Sequence, residues 1–542
     1  MRAITRWTGS IVGVLLFATA VAGQEDPAPM FRTSDRCLAC HNGLVTPSGR
    51  DVSFGTDWRA SMMANAARDP YWHAAVRRET IDHPESSAAV QNECSTCHMP
   101  MMHTRIHASG EGPAGVFEHL PTVRGMADGG TPVGALAADG VSCAMCHQIT
   151  EEGLGTEESF VGGFVVVDPS AGTPRRVFGP FAVDSGRTRI MRSATEFRPA
   201  ESDHVSSSEV CATCHTLYTH ALGDGGEVIG ELPEQVPYLE WLHSDYAGKR
   251  SCASCHMPEI SEPTPISGVL GQAREGVNRH AFKGGNFFLT RMFNRYADET
   301  GVAATPTELE AAAGRTLEHL RTRAARLAVE RVEVDDGSVA FDVVVENLAG
   351  HKLPTAYPSR RAWLHVTVRD ADGRPVFESG ALESDGSIAG NDNDADPARF
   401  EPHRAEIRDE DQVQIYEAIL AGPDGTVTTG LLTAVEYAKD NRVLPDGFDP
   451  ASADADIAVY GAATEDEDFA GGGDRVRYVV DPAESAGPYA VEAELWYQPI
   501  GFRWARNLAP YRTAETDRFV RFYDSMSEVS AALLARERIA IR

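Results

Sequence analysis

The chain has 542 residues, with 49 Lys and Arg against 79 Asp and Glu, for a formal charge of −30. A surplus of that size excludes nucleic acid and anionic membrane as binding partners. It leaves a solvated acidic surface or the steering of a basic partner, and the length leaves room for at least two domains.

Residues 1–22 read as an export signal. Met1-Arg2-Ala-Ile-Thr-Arg6 is basic, Ile11 to Ala22 is apolar, and Ala20-Val21-Ala22 fits a small-residue cleavage site. The apolar run is too short to span a bilayer, no cysteine follows it to take a lipid, and no later stretch approaches 18 apolar residues. A periplasmic or extracellular chain that does not span the membrane is expected.

Residues 31–285 are organised by one motif that occurs five times. It is Cys37-Leu-Ala-Cys40-His41, then Cys94-Ser-Thr-Cys97-His98, Cys143-Ala-Met-Cys146-His147, Cys211-Ala-Thr-Cys214-His215 and Cys252-Ala-Ser-Cys255-His256. Spaced by 41 to 68 residues, the repeats use all ten cysteines. Zinc ribbons need no histidine after the second cysteine, and five pairs do not divide into four-cysteine sites. C-x-x-C-H is the attachment pattern of c-type haem: the thiols bond the porphyrin and the histidine supplies the proximal iron ligand. Five covalent haems are predicted, on Cys37, Cys40, Cys94, Cys97, Cys143, Cys146, Cys211, Cys214, Cys252 and Cys255. Their proximal ligands are His41, His98, His147, His215 and His256. Such haem is attached outside the cytoplasmic membrane, in agreement with the export signal. Turns such as Gly110-Glu-Gly112-Pro113 make the segment loop-rich, with short, mainly α elements wrapped around haem plates.

Of 18 histidines, nine beyond the motifs lie in this half: His73, His83, His103, His107, His119, His204, His220, His243 and His280. Five irons take up to five second ligands, so the set exceeds a structural requirement. His103 and His107 are four apart and share a face if helical. His220 follows His215 too closely for the same iron but could reach a neighbouring one. Met62 and Met63 could serve the first haem, although methionine is commonly a packing residue. The pairing of ligands with irons is not readable.

Cys97-His98-Met99-Pro100 and Cys255-His256-Met257-Pro258 resemble multihaem cytochromes c, as do Ser208 to Tyr218, Tyr238 to Ser244 and Arg279 to Asn286. The kinship is with tetrahaem and hydroxylamine-oxidoreductase-like cytochromes, and it covers about half the chain. It implies closely packed, mostly bis-histidine haems, with His204 and His280 as distal ligands and His119 and His220 as weaker candidates. The run from Asn347 through His351 to Arg361 resembles a C-terminal domain attached to some of these cytochromes. That resemblance implies that His351 is a distal ligand docking this domain against a haem.

Residues 286–325 read as a helical connector, with Thr305-Pro306-Thr-Glu308 as a capping box. From Arg326 the period changes to strand. Leu327–Val334 and Val339–Val345 flank the turn Asp336-Gly337; Trp363–Arg369 and Pro375–Phe377 flank Asp372-Gly373. Further strands fit Gln412–Leu420, Thr426–Ala434 and Tyr489–Tyr497. An antiparallel, Ig-like β-sandwich over 326–505 is expected, closed by a C-terminal helix over 506–542. Asn391-Asp392-Asn393-Asp394-Ala-Asp396 is a possible Ca²⁺ loop, without the glycine and terminal glutamate of an EF-hand.

The function expected is electron transfer along packed haems to or from a redox partner, with the sandwich as a docking or assembly module. The alternative is a reductase or oxidase of a small nitrogen or sulfur compound at one open haem, with His103, Arg105, His107 and His119 around it. No C-x-x-C-K is present, which removes a pattern shared by many pentahaem nitrite reductases. A third reading is self-assembly, in which one copy's histidine completes a haem in the next.

Overall fold

A computed structural model describes residues 30–121, 131–167, 175–335, 338–482 and 487–541. The export signal expected over 1–22 and the turn at Asp336-Gly337 lie outside these residues. In the first half, every cysteine pair sits on a short helix or at its end: Ser34–Leu38, Ser87–His98, Cys143–Cys146, Ser208–His215 and Cys252–His256. Positions i and i+3 share a helix face, so each pair of thiols emerges on one side. Between them run longer elements such as Pro70–Asp82, where the Asp69 carboxylate caps the Tyr71 and Trp72 amides and proline opens the first turn.

Three helices follow, Phe287–Arg295, Ala297–Thr300 and Pro306–Arg323. The last carries the capping box: Thr305 accepts from the Glu308 amide, and the Glu308 carboxylate accepts from the Thr305 amide. The first buries Phe287, Phe288, Leu289 and Met292, each side chain stabilising the fold by about 1.5–3 kcal/mol relative to exposure.

The second half is built from two mainly antiparallel sheets. In the larger, seven-stranded one, Val427–Thr428, Ile415–Ala421, Arg361–Arg369, Tyr489–Gln498 and Ala532–Ile541 lie in that order; Pro375–Ser379 pairs with Arg361–Arg369, and Glu436–Asp440 with Ile415–Ala421. The four-stranded sheet has the order Glu406–Ile407, Gly473–Val480, Ser338–Asn347, Ala325–Asp335. Phe341, Val343, Val476 and Tyr478 of the smaller sheet share one apolar cluster with Leu364, Val366, Val491 and Leu495 of the larger. Tyr71, Val236 and Phe287 from the first half belong to the same cluster, so the two halves meet across a continuous core.

Three expectations need correction. The closing segment has one α-helix of several turns, Ala514–Asp524, between short 3-10 turns, and Ala532–Ile541 is a strand antiparallel to Tyr489–Gln498. Its Ala and Leu content favours helix, but Leu534 and Ile541 turn inward while Arg536 and Arg538 stand opposite Glu494 and Glu492. The strand expected over Thr426–Ala434 shrinks to Val427–Thr428. Beyond it the Leu431 and Leu432 amides donate to the Glu79 carboxylate, at 3.0 and 3.4 Å, instead of to a strand. The acidic loop does not fit Ca²⁺. Asp394 bonds Arg361 and the Ile388 amide at 2.8 Å each, Asp392 pairs with Arg399, and the Asn391 oxygen takes the Asn393 amide.

Candidate haem sites

Four of the five motif histidines share one posture, and His215 stands apart, more exposed than the others. In these four, Nδ1–H donates to a backbone carbonyl: His41 to Ile266 at 2.6 Å, His98 to Ala66 at 3.2 Å, His147 to Phe178 at 2.6 Å, and His256 to Lys283. This fixes the tautomer and leaves Nε2 without a hydrogen-bond partner among the described residues. Burial lowers the pKa of all five, to about 4 for His98 and His256, so each ring is the neutral base that a metal needs. All ten cysteines are free thiols, half-buried. Two thiols, an oriented neutral imidazole and no competing disulfide fit covalent haem.

The motifs also meet one another. The thiols of Cys37 and Cys143, of Cys97 and Cys214, and of Cys211 and Cys252 lie close enough to perturb each other's ionisation, and Cys214 acts in the same way on Cys146. These contacts join the first motif to the third, the third to the fourth, and the fourth to both the second and the fifth. Motif four is the hub.

Two of the predicted second ligands face a motif histidine. His280 has its ring centre 6.2 Å from that of His147 with planes 17° apart, and His351 lies 6.3 Å from His256 at 16°. Two imidazoles sharing one iron need about 2 Å per metal–nitrogen bond and about 1 Å from nitrogen to ring centre on each side, about 6 Å in all. Both candidates repeat the motif posture, with Nδ1 donating to Asn278 at 3.2 Å and to Lys352 at 2.9 Å. Burial depresses both pKa values, that of His280 to about 3.

The remaining candidates lie elsewhere. His204 packs on Phe178 near His147, but both its nitrogens are engaged, with Ser202 Oγ at 2.7 Å and Ile149 O at 2.8 Å. His220 is exposed on a hairpin beside Glu231, and His119 is half-buried in the turn after Val116. His103 bonds Ser95 between the second pair of cysteines, and His107 bonds Asn92, so both rest on the outer side of the motif helix. Arg105 stands beside Glu111. His73 is held at both nitrogens by Ala67 and Arg518.

One neighbour was not foreseen. His319, inside the helix Pro306–Arg323, has its ring 6.0 Å from His256 and 56° out of plane. In the sequence it stands beside the buried stripe of Leu309, Ala312, Ala313, Leu317 and Leu320, where it reads as part of the polar face. Around His215 no second imidazole ring lies in contact among the described residues; burial and the nearby Arg360 guanidinium hold it neutral.

His351 is positioned by a buried charge network between the halves. Glu240, on the helix Pro237–Leu242, accepts from the Lys352 amide at 3.0 Å and Thr355 Oγ1 at 2.5 Å, and pairs with Arg442 at 2.9 Å. Arg442 and Lys352 both bind Asp440 at 2.7 Å. Burial opposes the Asp440 charge, but these two cations outweigh it and keep the carboxyl well below the usual range.

No protein-family profile and no curated protein matches the chain. Its architecture, short motif-bearing helices followed by a two-sheet β domain, does have a counterpart among solved structures. The chain superposes on the structure of a penta-heme cytochrome c552 from Thermochromatium tepidum with a TM-score of 0.52 and 15% identity. The match covers 95% of this chain and 100% of that one, so both halves belong to the shared fold. Among the described residues no helix is long and apolar enough to cross a membrane.

Proposed function

We propose that this chain is an exported c-type cytochrome that binds five haems and carries electrons to or from a redox partner. The observation that carries this reading is the posture of four motif histidines, His41, His98, His147 and His256, half-buried, held neutral and with Nδ1 tied to a backbone carbonyl. Each haem would supply an iron that gains and loses one electron. The residues of the chain do the rest. Cysteine contacts connect the five positions through motif four, and backbone carbonyls orient the proximal rings. His280 is the second ligand at the third position and His351 at the fifth, which makes the β domain part of the electron-transfer unit. At these two positions a second imidazole would leave no coordination site for a substrate.

Spectroscopy of the purified, oxidised protein tests this. Five haems per chain by pyridine haemochrome, with low-spin ferric signals dominating the electron paramagnetic resonance (EPR) spectrum, are the expected result. Fewer than five haems, or high-spin signals from the third or fifth position, would overturn it.

A second reading is favoured by one observation. His215, at the hub, has the Arg360 guanidinium as its electrostatic neighbour and no second imidazole beside it. An open coordination position next to a cation suits a small anion, such as a nitrogen or sulfur oxyanion, and would make the protein a reductase or oxidase. One high-spin ferric signal per chain that shifts on adding nitrite supports it; five low-spin signals dismiss it.

A further inference from the structure

The surface beside the first motif reverses the charge of the whole molecule. Residues 175–198 carry six arginines against Asp184 and Glu196, in a chain whose formal charge is −30. Both carboxylates are already engaged, Asp184 by Arg187 and Glu196 by Arg32 and Arg175. Arg176, Arg189, Arg192 and Arg198 are exposed and have no ion pair among the described residues.

These arginines lie on the helix Ser185–Thr195 and its flanks, and that helix packs on Ser34–Leu38, which carries Cys37. The loop 266–271 closes the same surface. Gly268 N donates to Cys40 O at 2.7 Å, Ile266 O holds His41, and Arg187 Nε donates to Leu270 O at 2.8 Å. The same helix and loop expose three apolar side chains: Ile190 is 42% exposed, Val269 45% and Leu270 64%. Leu270 holds φ at +50°, a conformation uncommon for a residue with a side chain. Exposed apolar side chains on the same helix and loop as unpaired arginines are the composition of an interaction face.

We infer that this face docks an acidic electron-carrier protein against the first motif, and this rests on the pentahaem reading above. Charge chooses the occupant. A basic partner, which the net charge alone would attract, meets four unpaired arginines at the one place where Cys37 and Cys40 lie just beneath the surface. The general acidic field is screened beyond about 8 Å at physiological ionic strength, whereas these arginines act at contact.

The test uses the full haem-loaded protein and two probes of opposite charge, an acidic flavodoxin and a basic cytochrome c. At low ionic strength, flavodoxin is expected to bind with hydrogen-exchange protection confined to 185–195 and 266–274. Arg189→Glu/Arg192→Glu is expected to weaken that binding at least ten-fold. Both side chains are exposed and unpaired, so an unchanged haem spectrum and melting temperature would show that the variant folds. Absent flavodoxin binding, unchanged affinity in the variant, protection elsewhere, or tighter binding of the basic cytochrome to this face would each overturn the inference. Haem content separates the two failures. A chain short of five haems sinks the pentahaem reading, while five haems with an unaltered titration sink only the docking face.

Discussion

His256 and His351 face each other with ring centres 6.3 Å apart and planes 16° apart, although one closes the fifth cysteine pair and the other belongs to the β half. His319 approaches the same ring to 6.0 Å but at 56° and from a half-exposed helix face. If His351 is the second ligand, His351→Ala converts one low-spin ferric signal per chain to high-spin and leaves the others in place. His319→Ala leaves the spectrum unchanged. The reverse outcome would move the ligand role to His319, and EPR with spin counting decides.

Glu240 holds the loop that presents His351, and it does so from the other half of the molecule. It is fully buried and serves three partners, Lys352 N, Thr355 Oγ1 and Arg442. Removing one member of a buried ionic network leaves the others charged and unpaired, at a cost of about 3–5 kcal/mol. Glu240→Gln is therefore expected to lower stability by that amount in urea unfolding followed at the Soret band. A loss below about 1 kcal/mol would show that the network is dispensable.

Glu234 gives the fold a pH dependence near neutrality. It is buried on the strand Val228–Gln235, accepts from Thr219 Oγ1 at 2.6 Å, and burial raises its pKa from 4.5 to about 7. A carboxyl raised on folding keeps a proton that the unfolded chain has already released. Its contribution is thus complete below pH 4.5 and is lost as pH rises to about 7. The shift corresponds to roughly 3 kcal/mol. Calorimetry between pH 5 and 8 is expected to show stability falling in the wild type and a flatter profile in Glu234→Gln; parallel profiles would count against it.

What the sequence disclosed and withheld follows from range. C-x-x-C-H is a local pattern whose chemistry needs no context, and the change from helical to strand period near Arg326 is equally local. The facing of His147 by His280 and of His256 by His351 depends on how the two halves pack, and no spacing encodes that. His204, placed by resemblance and proximity to Cys211, has both nitrogens engaged by protein atoms. His319 was hidden because a histidine between Glu318 and Leu320 reads as the polar face of an amphipathic helix. The strand sought at Thr426–Ala434 failed because Glu79, more than three hundred residues away, takes its amides.

The last ten described residues make the sharpest case, since composition and pairing point to opposite structures. Ala532–Ile541 is rich in helix formers, yet it lies antiparallel to Tyr489–Gln498 with Arg536 opposite Glu494 and Arg538 opposite Glu492. In a helix facing solvent, reversing those two charges would be nearly neutral. In this register, Arg536→Glu/Arg538→Glu sets like charges directly across the strands, at a cost of roughly 0.2–1 kcal/mol per pair in addition to the lost attraction. Adding Glu492→Arg and Glu494→Arg restores opposite signs at both positions, although Glu494 also accepts from His365 at 3.0 Å. Thermal unfolding of the three proteins is therefore expected to show a fall for the double variant and a partial recovery for the quadruple one. Equal melting temperatures for wild type and double variant would remove the strand pairing from the account of this terminus.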